Sequence, residues 1–360
     1  MLSARYLASC SDDIVRLYSQ LESEIIISMA KRLKKLGRVT ESTVYQARIL
    51  NEIGGLRTEV MQIIQKYDAP AQKMILDLFN SAMNQATKSD LKNIDFTNIK
   101  MNDSQLQLLK ATAEKLKSSA IINSNNKTRQ DFIDGQAIKV FSGLQRLTMT
   151  IADSSSGLFV QKANQCYMEV TTGAFDYDTS FKKAVDELAT ESVKTVKYTD
   201  SGQEIHRSIE SAVRTNIMSS INQTASQITI NNCEELGTDL VEVSAHMGAR
   251  PEHEEFQGKI YSLSGESKKY PPFSLCRLGE PTGICGINCR HSYYPYFEGE
   301  EPRYSKGELD EMKDSKVTYN NKTMTQYEGE QQLRLYERAI RKWKRQADTE
   351  KSVGLDDFDS

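Results

Sequence analysis

Histidine and cysteine, the side chains best suited to bind a borderline-soft metal ion, gather in one short part of the sequence. Three of the four histidines and three of the six cysteines lie between residues 246 and 291. Imidazole and thiolate together favour zinc, which prefers four nitrogen or sulfur ligands in a tetrahedron. The spacing therefore predicts a zinc site in this segment. Its candidate ligands are His246, His253, Cys285, Cys289 and His291.

The same residues allow two other interpretations. Cys285 and Cys289 are one residue further apart than the cysteines of a C-x2-C zinc knuckle, so the thiols are also consistent with small buried side chains. The second alternative is a metal- or thiol-dependent enzyme, hydrolase or toxin-like, in which Cys289 and His291 form a nucleophile and its base. The sequence contains no glycine-rich phosphate loop, no GxSxG and no HExxH. We therefore expect a protein without catalytic activity and without a small-molecule substrate.

A basic cluster surrounds the single tryptophan of the chain. It consists of Arg341, Lys342, Trp343, Lys344 and Arg345. On a helix, such side chains can contact DNA phosphates while the indole stacks on a base. The alternative is a solvated helix face with the tryptophan packed on a neighbouring element. The cluster thus predicts candidate DNA contacts and leaves this second interpretation open.

The prolines divide the chain into parts of different character. Pro70 is the only proline before Pro251, and the other six lie between residues 251 and 302. Because proline interrupts helices and strand ladders, long helices are expected before residue 251 and irregular backbone after it. Gly54-Gly55 and Pro70 are expected to end individual helices. Alternating apolar residues predict strands at residues 239–244 and 259–263, and a polar helix is predicted from 325 to about 346.

These patterns predict an α+β fold, with a long helical N-terminal region followed by a smaller mixed α+β, loop-rich C-terminal module. We place the helical region at residues 1–190 and the mixed module at 191–304, with its core motif at 244–300. Residues 305–360 are predicted to form a polar C-terminal helix and an acidic tail.

Composition and charge argue against several classes of protein. The 360 residues include 46 basic and 49 acidic side chains, and the resulting net charge of −3 gives no reason to expect a chain-wide coat of nucleic acid. No apolar run approaches the roughly 18 residues needed to span a bilayer, so we expect no membrane segment. The start of the sequence has no basic segment followed by an apolar run. We therefore expect reduced thiols rather than a disulfide scaffold.

The loop-rich segment resembles a known family. The stretches SAHMGARPEHEEFQGKIYSLSG at 244–265, YPPFSLC at 270–276 and GICGINCRHSYYPYFEGE at 283–300 closely resemble the phage minor capsid protein 2 family, which is similar to the wider Mu F-like head morphogenesis proteins. The shared pattern is a His, an Arg-Pro-x-His, an aromatic or apolar residue followed by x-Gly, a Pro-Pro and an Asn-Cys-Arg. The matching positions are His246, Arg250, Pro251, His253, Phe256, Gly258, Pro271, Pro272, Asn288, Cys289 and Arg290. Arg214 and Thr215 match an Arg-Thr-Glu motif of those proteins, with Asn216 in place of the acid.

This resemblance implies a minor structural protein of a phage or prophage head, with residues 191–304 as its Mu F-like module. It implies portal and capsid proteins as partners, with phage DNA as a further contact. The functions it implies are head assembly, DNA packaging or ejection. The implied location is the virion head, with the host cytoplasm as the location during assembly.

Overall fold

The computed structural model of the chain describes residues 1–38, 41–92, 94–120, 127–191, 196–200 and 203–355. Within these residues the chain is mainly helical and forms three small antiparallel sheets. The helices are α1 (Ala4–Ser9), α2 (Asp12–Leu36), α3 (Ser42–Lys92), α4 (Asp103–Ala120), α5 (Lys127–Thr171), α6 (Tyr177–Glu191), α7 (Ile209–Leu236), α8 (Pro251–Glu254), α9 (Lys306–Lys313) and α10 (Gln326–Ser352), with a 3₁₀ helix at Phe273–Cys276. The strands are β1 (Val196–Asp200), β2 (Gln203–Arg207), β3 (Leu240–Val243), β4 (Ile260–Ser262), β5 (Tyr293–Tyr296), β6 (Lys316–Tyr319) and β7 (Lys322–Thr325). The predicted α+β fold with long N-terminal helices is confirmed.

The chain groups into two compact units, each assembled from three separate segments. The first unit comprises Met1–Ser11, Ile75–Val140 and Thr215–Leu333. The second unit comprises Asp12–Met74, Phe141–Arg214 and Arg334–Ser360. The three-part division at residues 190 and 304 stays a prediction.

The first unit is built around a three-stranded antiparallel sheet in the order β4-β3-β5. In the central strand, Val241 lies opposite Tyr261 of β4 and Pro295 of β5. The hydroxyl of Tyr293 on β5 lies 2.6 Å from the hydroxyl of Ser226 on α7, and this pair ties the helix to the sheet. A separate apolar core of this unit contains Leu91, Ile94, Ile99, Leu109, Ala113, Leu116, Leu236 and Phe297.

A buried ion pair links helices of the second unit. Nη1 of Arg345 on α10 lies 2.7 Å from a carboxylate oxygen of Glu22 on α2, and its Nε donates to the carbonyl oxygen of Ala189 on α6. Both members of this pair are buried. Arg345 thus links three helices by its fixed fork of donors, a geometry that a lysine could not reproduce.

Helix α3 corrects the expectation that Gly54-Gly55 and Pro70 end helices, because it runs without a break from Ser42 to Lys92. A side chain at Gly55 would place its Cβ 2.6 Å from Nη1 of Arg32, so this glycine makes room for the guanidinium rather than breaking the helix. Burial of the helix face on both sides of Pro70, at Tyr67 and Ala71, offsets the missing N–H. Neither this helix nor any other in the described part of the chain is long and apolar enough to cross a membrane.

The two strands predicted at residues 239–244 and 259–263 are confirmed as β3 and β4. The polar helix predicted from residue 325 is confirmed as α10. Strand β5 and the hairpin β6–β7 were not predicted.

Candidate metal centre

The imidazoles of His253 and His291 and the thiol of Cys289 meet in the interior of the first unit. Sγ of Cys289 lies 3.6 Å from Nδ1 of His253 and 3.6 Å from Nδ1 of His291. One possible ligand atom from each of the three residues lies within 4.8 Å of the other two. The three side chains are only 1% to 2% exposed. The structure therefore brings together three of the five candidate ligands.

Strand pairing explains this convergence. Strands β3 and β5 are antiparallel, and Val243 at the end of β3 lies opposite Tyr293 at the start of β5. The chain leaving β3 and the chain entering β5 must therefore meet at the same end of the sheet. The first of these segments carries His253, on the short helix α8 that begins at Pro251. The second carries Cys289 and His291.

Carbonyl oxygens fix the tautomers of the two buried histidines. Nε2 of His253 lies 2.8 Å from the carbonyl oxygen of Thr282, and Nε2 of His291 lies 3.3 Å from Oε1 of Gln257. Both partners only accept hydrogen bonds, so each Nε2 carries the proton and donates it. Each Nδ1 consequently carries a lone pair, and both lone-pair nitrogens face Sγ of Cys289.

Burial sets the charge states of this cluster. It lowers the pKa of His253 and lowers the pKa of His291 well below the ordinary value for imidazole. It also raises the pKa of the Cys289 thiol. The backbone N–H of His291 donates to Sγ of Cys289 at 3.3 Å and partly offsets that rise. At neutral pH the two imidazoles are neutral, which is the form that binds metal ions.

His246 lies beside the cluster without belonging to the group of three. Its ring centre is 4.4 Å from that of His291, and its Nδ1 donates to the carbonyl oxygen of Met247 at 2.8 Å. Nε2 of His246 is buried and has no hydrogen-bond partner among the described residues. Burial lowers the pKa of His246 to about 4. A buried acceptor nitrogen without a partner is costly and calls for an explanation.

Cys285, the fifth candidate ligand, has its thiol directed elsewhere. Its side chain is fully buried and its Sγ donates to the backbone carbonyl oxygen of His291 at 3.6 Å. Its backbone has φ of 59°, in the left-handed region. Cys285 therefore contributes to the loop conformation and stands outside the group of three potential ligands.

Two buried amides that sequence reasoning missed hold the cluster in place. Nδ2 of Asn222 on α7 donates to the carbonyl oxygens of Cys289 and His291, both at 3.0 Å. Oε1 of Gln257 accepts from the backbone N–H of His246 at 2.7 Å as well as from the ring of His291. No motif or spacing marks either amide, because both act through partners distant in the sequence.

The loop that leads to Cys289 is shaped by close backbone contacts. A Cβ at Gly283 would collide with the backbone oxygen of Arg277, and a Cβ at Gly286 would collide with that of Glu280. Asn288 has φ of 54°, a left-handed conformation that asparagine tolerates. The glycines of this segment are therefore required by sterics, as the family-like pattern around them suggests.

The arginines of the family motif fasten the two ligand-bearing segments together. Nη2 of Arg250 donates to the carbonyl oxygen of Ile287 at 2.6 Å. Nη2 of Arg290 donates to the carbonyl oxygen of Gly248 at 3.0 Å and also pairs with Glu330. These contacts are cross-links between the segments after β3 and before β5, and neither arginine reaches the thiol or the imidazoles by any contact described.

Three further motif residues have structural contacts. The backbone N–H of Gly258, which has φ of 66°, donates to the carbonyl oxygen of Val243. Oδ1 of Asn288 accepts from the hydroxyl of Thr215 at 3.3 Å. Arg214 belongs to the second unit and pairs with Asp12 at 3.1 Å.

The basic cluster of α10 is partly committed to carboxylates within the second unit. Nε of Arg341 lies 2.8 Å from a carboxylate oxygen of Glu210, and Arg345 is buried in its pair with Glu22. Lys342, Trp343 and Lys344 are exposed and remain the candidate DNA contacts of this cluster. Contact with DNA stays a prediction.

Comparisons with known proteins relate this chain to structural proteins of phages. A family model described as phage minor capsid protein 2 matches residues 2–358. A protein named "Structural protein" from Lactococcus phage LL-H is 24% identical over 330 residues, which cover 88% of this chain and 80% of that protein. A second "Structural protein", from Lactococcus phage mv4, is 35% identical over 86 residues, which cover 24% of this chain and 62% of that protein. No solved structure matches the chain.

Proposed function

We propose that this chain, which belongs to the phage minor capsid protein 2 family, is a minor component of the phage head. In this proposal it binds the portal and acts in head assembly, DNA packaging or ejection. The supporting observation is a family match that spans residues 2–358 and so includes His253, Cys289 and His291, which we call the His–Cys cluster. The names of the two relatives, which call them structural proteins of phages, agree with a place in the virion. The Mu F-like character of residues 191–304 and the presence of the protein in the host cytoplasm before assembly are parts of the same proposal.

An apolar stripe on α10 supports binding to another virion protein. Tyr336, Ile340 and Trp343 are 41%, 49% and 68% exposed. At 100° per residue they lie within one narrow arc of the helix, on the side opposite the buried Arg345 and Thr349. Aromatic side chains at such positions are typical anchors of protein interfaces. We therefore assign the α10 stripe, Tyr336, Ile340 and Trp343, to portal binding.

The test is incorporation of stripe variants into phage particles. We expect the double substitution Ile340→Ser and Trp343→Ser to lower the amount of protein in purified heads at least about 10-fold, because two interface anchors are removed. The free energy of unfolding should change by less than about 0.5 kcal/mol, since both side chains are exposed. Binding to purified portal rings, measured by co-sedimentation, should fall in parallel.

Leu335→Ser is the matched control for this test. Leu335 is 49% exposed on the same helix but lies about 100° away from the stripe. It should leave incorporation unchanged. Absence of the wild-type protein from particles would contradict the virion role itself, whereas normal incorporation of the double variant would contradict only the assignment of the stripe.

The enzyme alternative receives less support from the site. A nucleophilic thiol needs access for its substrate and a lowered pKa. Cys289 is 2% exposed, and burial raises the pKa of its thiol. We therefore propose that the His–Cys cluster has no catalytic role.

A further inference from the structure

We propose that Nδ1 of His253, Sγ of Cys289 and Nδ1 of His291 bind a zinc ion, with Nε2 of His246 as the fourth ligand. This centre is independent of the proposed role in the phage head. Its function is to cross-link the segment that follows β3 and the segment that precedes β5.

The two distances from the thiol sulfur to the imidazole nitrogens are those of zinc ligands. Zinc–sulfur and zinc–nitrogen bonds of about 2.3 Å and about 2.0 Å at a tetrahedral angle place sulfur and nitrogen about 3.5 Å apart. The two distances from Sγ of Cys289 to Nδ1 of His253 and of His291 are both 3.6 Å. Both sulfur–nitrogen distances therefore already suit an ion, and the two imidazole nitrogens lie within 4.8 Å of each other.

The hydrogen bonds around the rings are those expected of metal-bound histidines. In metal sites the imidazole nitrogen that does not bind the ion usually donates to a carbonyl or carboxylate oxygen. The carbonyl oxygen of Thr282 accepts from His253, and Oε1 of Gln257 accepts from His291. By accepting from Nε2, each oxygen orients its histidine so that the lone pair of Nδ1 faces Sγ of Cys289. A set of purely structural hydrogen bonds would not require the two histidines to share that orientation.

In His246 the two ring nitrogens have exchanged roles: Nδ1 donates to a carbonyl oxygen, and Nε2 is the nitrogen available to a metal ion. Its Nδ1 donates to the carbonyl oxygen of Met247, so its Nε2 carries the lone pair, and that atom is buried without a partner among the described residues. His246 is not in the group whose ligand atoms lie within 4.8 Å of one another, so its ring has to move inward as the ion binds. Its ring centre lies 4.4 Å from that of His291, so it is next to the proposed position of the ion.

The site is suited to a structural ion rather than to catalysis. Ligands from four side chains would leave no coordination position for water, which is the arrangement of structural zinc sites. The thiol proton of Cys289 leaves to solvent when the zinc–sulfur bond forms. The loop between residues 276 and 289 is held by backbone hydrogen bonds such as those from Gly279 to Ile284 and from Ile287 to Pro281, and a cross-link at Cys289 would stabilise it further.

The first experiment measures metal in the full chain. We expect one zinc per chain by elemental analysis after purification without chelator. Replacement by Co²⁺ should give intense visible absorption typical of a tetrahedral ion, with a single thiolate-to-cobalt band. A folded wild-type protein that contains no zinc and takes up neither Zn²⁺ nor Co²⁺ would overturn the proposal.

Two cysteine variants form a matched pair, because both thiols are buried in the same loop. Cys289→Ser should abolish the thiolate-to-cobalt band, and Cys285→Ser should retain it. The reverse result would overturn the ligand assignment. If Cys289→Ser does not fold, alkylation of the wild-type protein decides the question: Cys289 should react only after chelator is added, and equal reactivity with and without chelator would contradict the zinc–sulfur bond.

The fourth ligand is tested with His246→Asn. Loss of a zinc ligand should weaken zinc binding at least about 10-fold, since even outer hydrogen-bond partners of metal ligands contribute that much. The cobalt spectrum should also shift as water takes the vacated position. Unchanged affinity together with an unchanged spectrum would show that His246 is not a ligand.

Discussion

At the scale of single residues, Glu242 is a buried acid with a strongly raised pKa. It is fully buried on β3, and its Oε1 accepts from the backbone N–H of Arg303 at 2.9 Å. Its Oε2 lies 3.7 Å from Nε of the same arginine. Burial raises the pKa of Glu242 to about 7, with nearby Glu300 acting in the same direction and Arg303 opposing it. Glu242 is therefore protonated in the folded protein at pH values where the unfolded chain has lost that proton.

This shift predicts a pH-dependent stability. Because the pKa of Glu242 is higher in the folded than in the unfolded state, the free energy of unfolding should fall as the pH rises from about 4.5 to about 7. Glu242→Gln, which imitates the protonated acid, should reduce that fall by about 2 kcal/mol. Urea unfolding of both proteins at about pH 5 and about pH 8 measures the difference.

Glu298→Gln is the control for this pH effect. Glu298 is exposed, and its hydrogen bond to Lys269 lowers its pKa. The substitution should leave the change in stability between the two pH values nearly as in the wild-type protein. Equal pH dependence in wild-type and Glu242→Gln proteins would show that Glu242 keeps an ordinary pKa.

At the scale of elements, the loop between the 3₁₀ helix and β5 depends on glycines that no other residue can replace. We expect Gly286→Ala to lower the free energy of unfolding by at least about 2 kcal/mol, because its Cβ would collide with backbone oxygens that cannot rotate away. Denaturant unfolding followed by circular dichroism measures the loss.

Gly135→Ala provides the comparison within the same unit. Gly135 is exposed on α5, and no heavy atom outside its own helix lies within 4 Å of the Cβ that alanine would add. The substitution should raise stability by about 0.5 to 1 kcal/mol, since alanine favours the helix. A similar small effect at Gly286 would mean that the loop can shift to accept a side chain.

The hairpin β6–β7 shows a local signal that sequence reasoning overlooked. Asn320 and Asn321 both have positive φ, as a two-residue hairpin turn requires, and Val317 pairs with Met324 across the strands. Two asparagines between short alternating segments predict such a turn. The strands are mostly exposed, so their hydrophobic pattern is weak and the asparagines were the only strong indication.

At the scale of the whole molecule, the first unit is discontinuous in sequence. Its apolar core combines Leu91, Ile99 and Leu109 with Leu236 and Phe297. A fragment of residues 191–304 contains only the last two. We therefore expect this fragment to be unfolded when expressed alone, as judged by dispersion of its NMR spectrum, because most of that core would be missing.

The three-part division predicted from the sequence gives the opposite expectation for this fragment. If residues 191–304 form an independent domain, the fragment should fold and, when supplied with Zn²⁺, bind it. A folded fragment would support the boundaries at residues 190 and 304. It would contradict the expectation that folding of this part of the chain depends on residues 91–109. The full-length chain under the same conditions is the reference.

Local sequence was enough to predict the α+β class, the region of long helices, strands β3 and β4, and the segment in which candidate ligands concentrate. These features depend on local periodicity, on the placement of proline and on residue type, all of which are properties of neighbouring positions. Which of the candidate ligands meet follows only from the three-dimensional fold. His253 joins Cys289 and His291 because β3 pairs with β5, whereas Cys285 turns its thiol to a carbonyl group. Asn222 and Gln257 became visible only in three dimensions, because their contacts lie far away in sequence. The role of Gly55 also became visible only in three dimensions, because Arg32, the side chain for which it makes room, belongs to another helix.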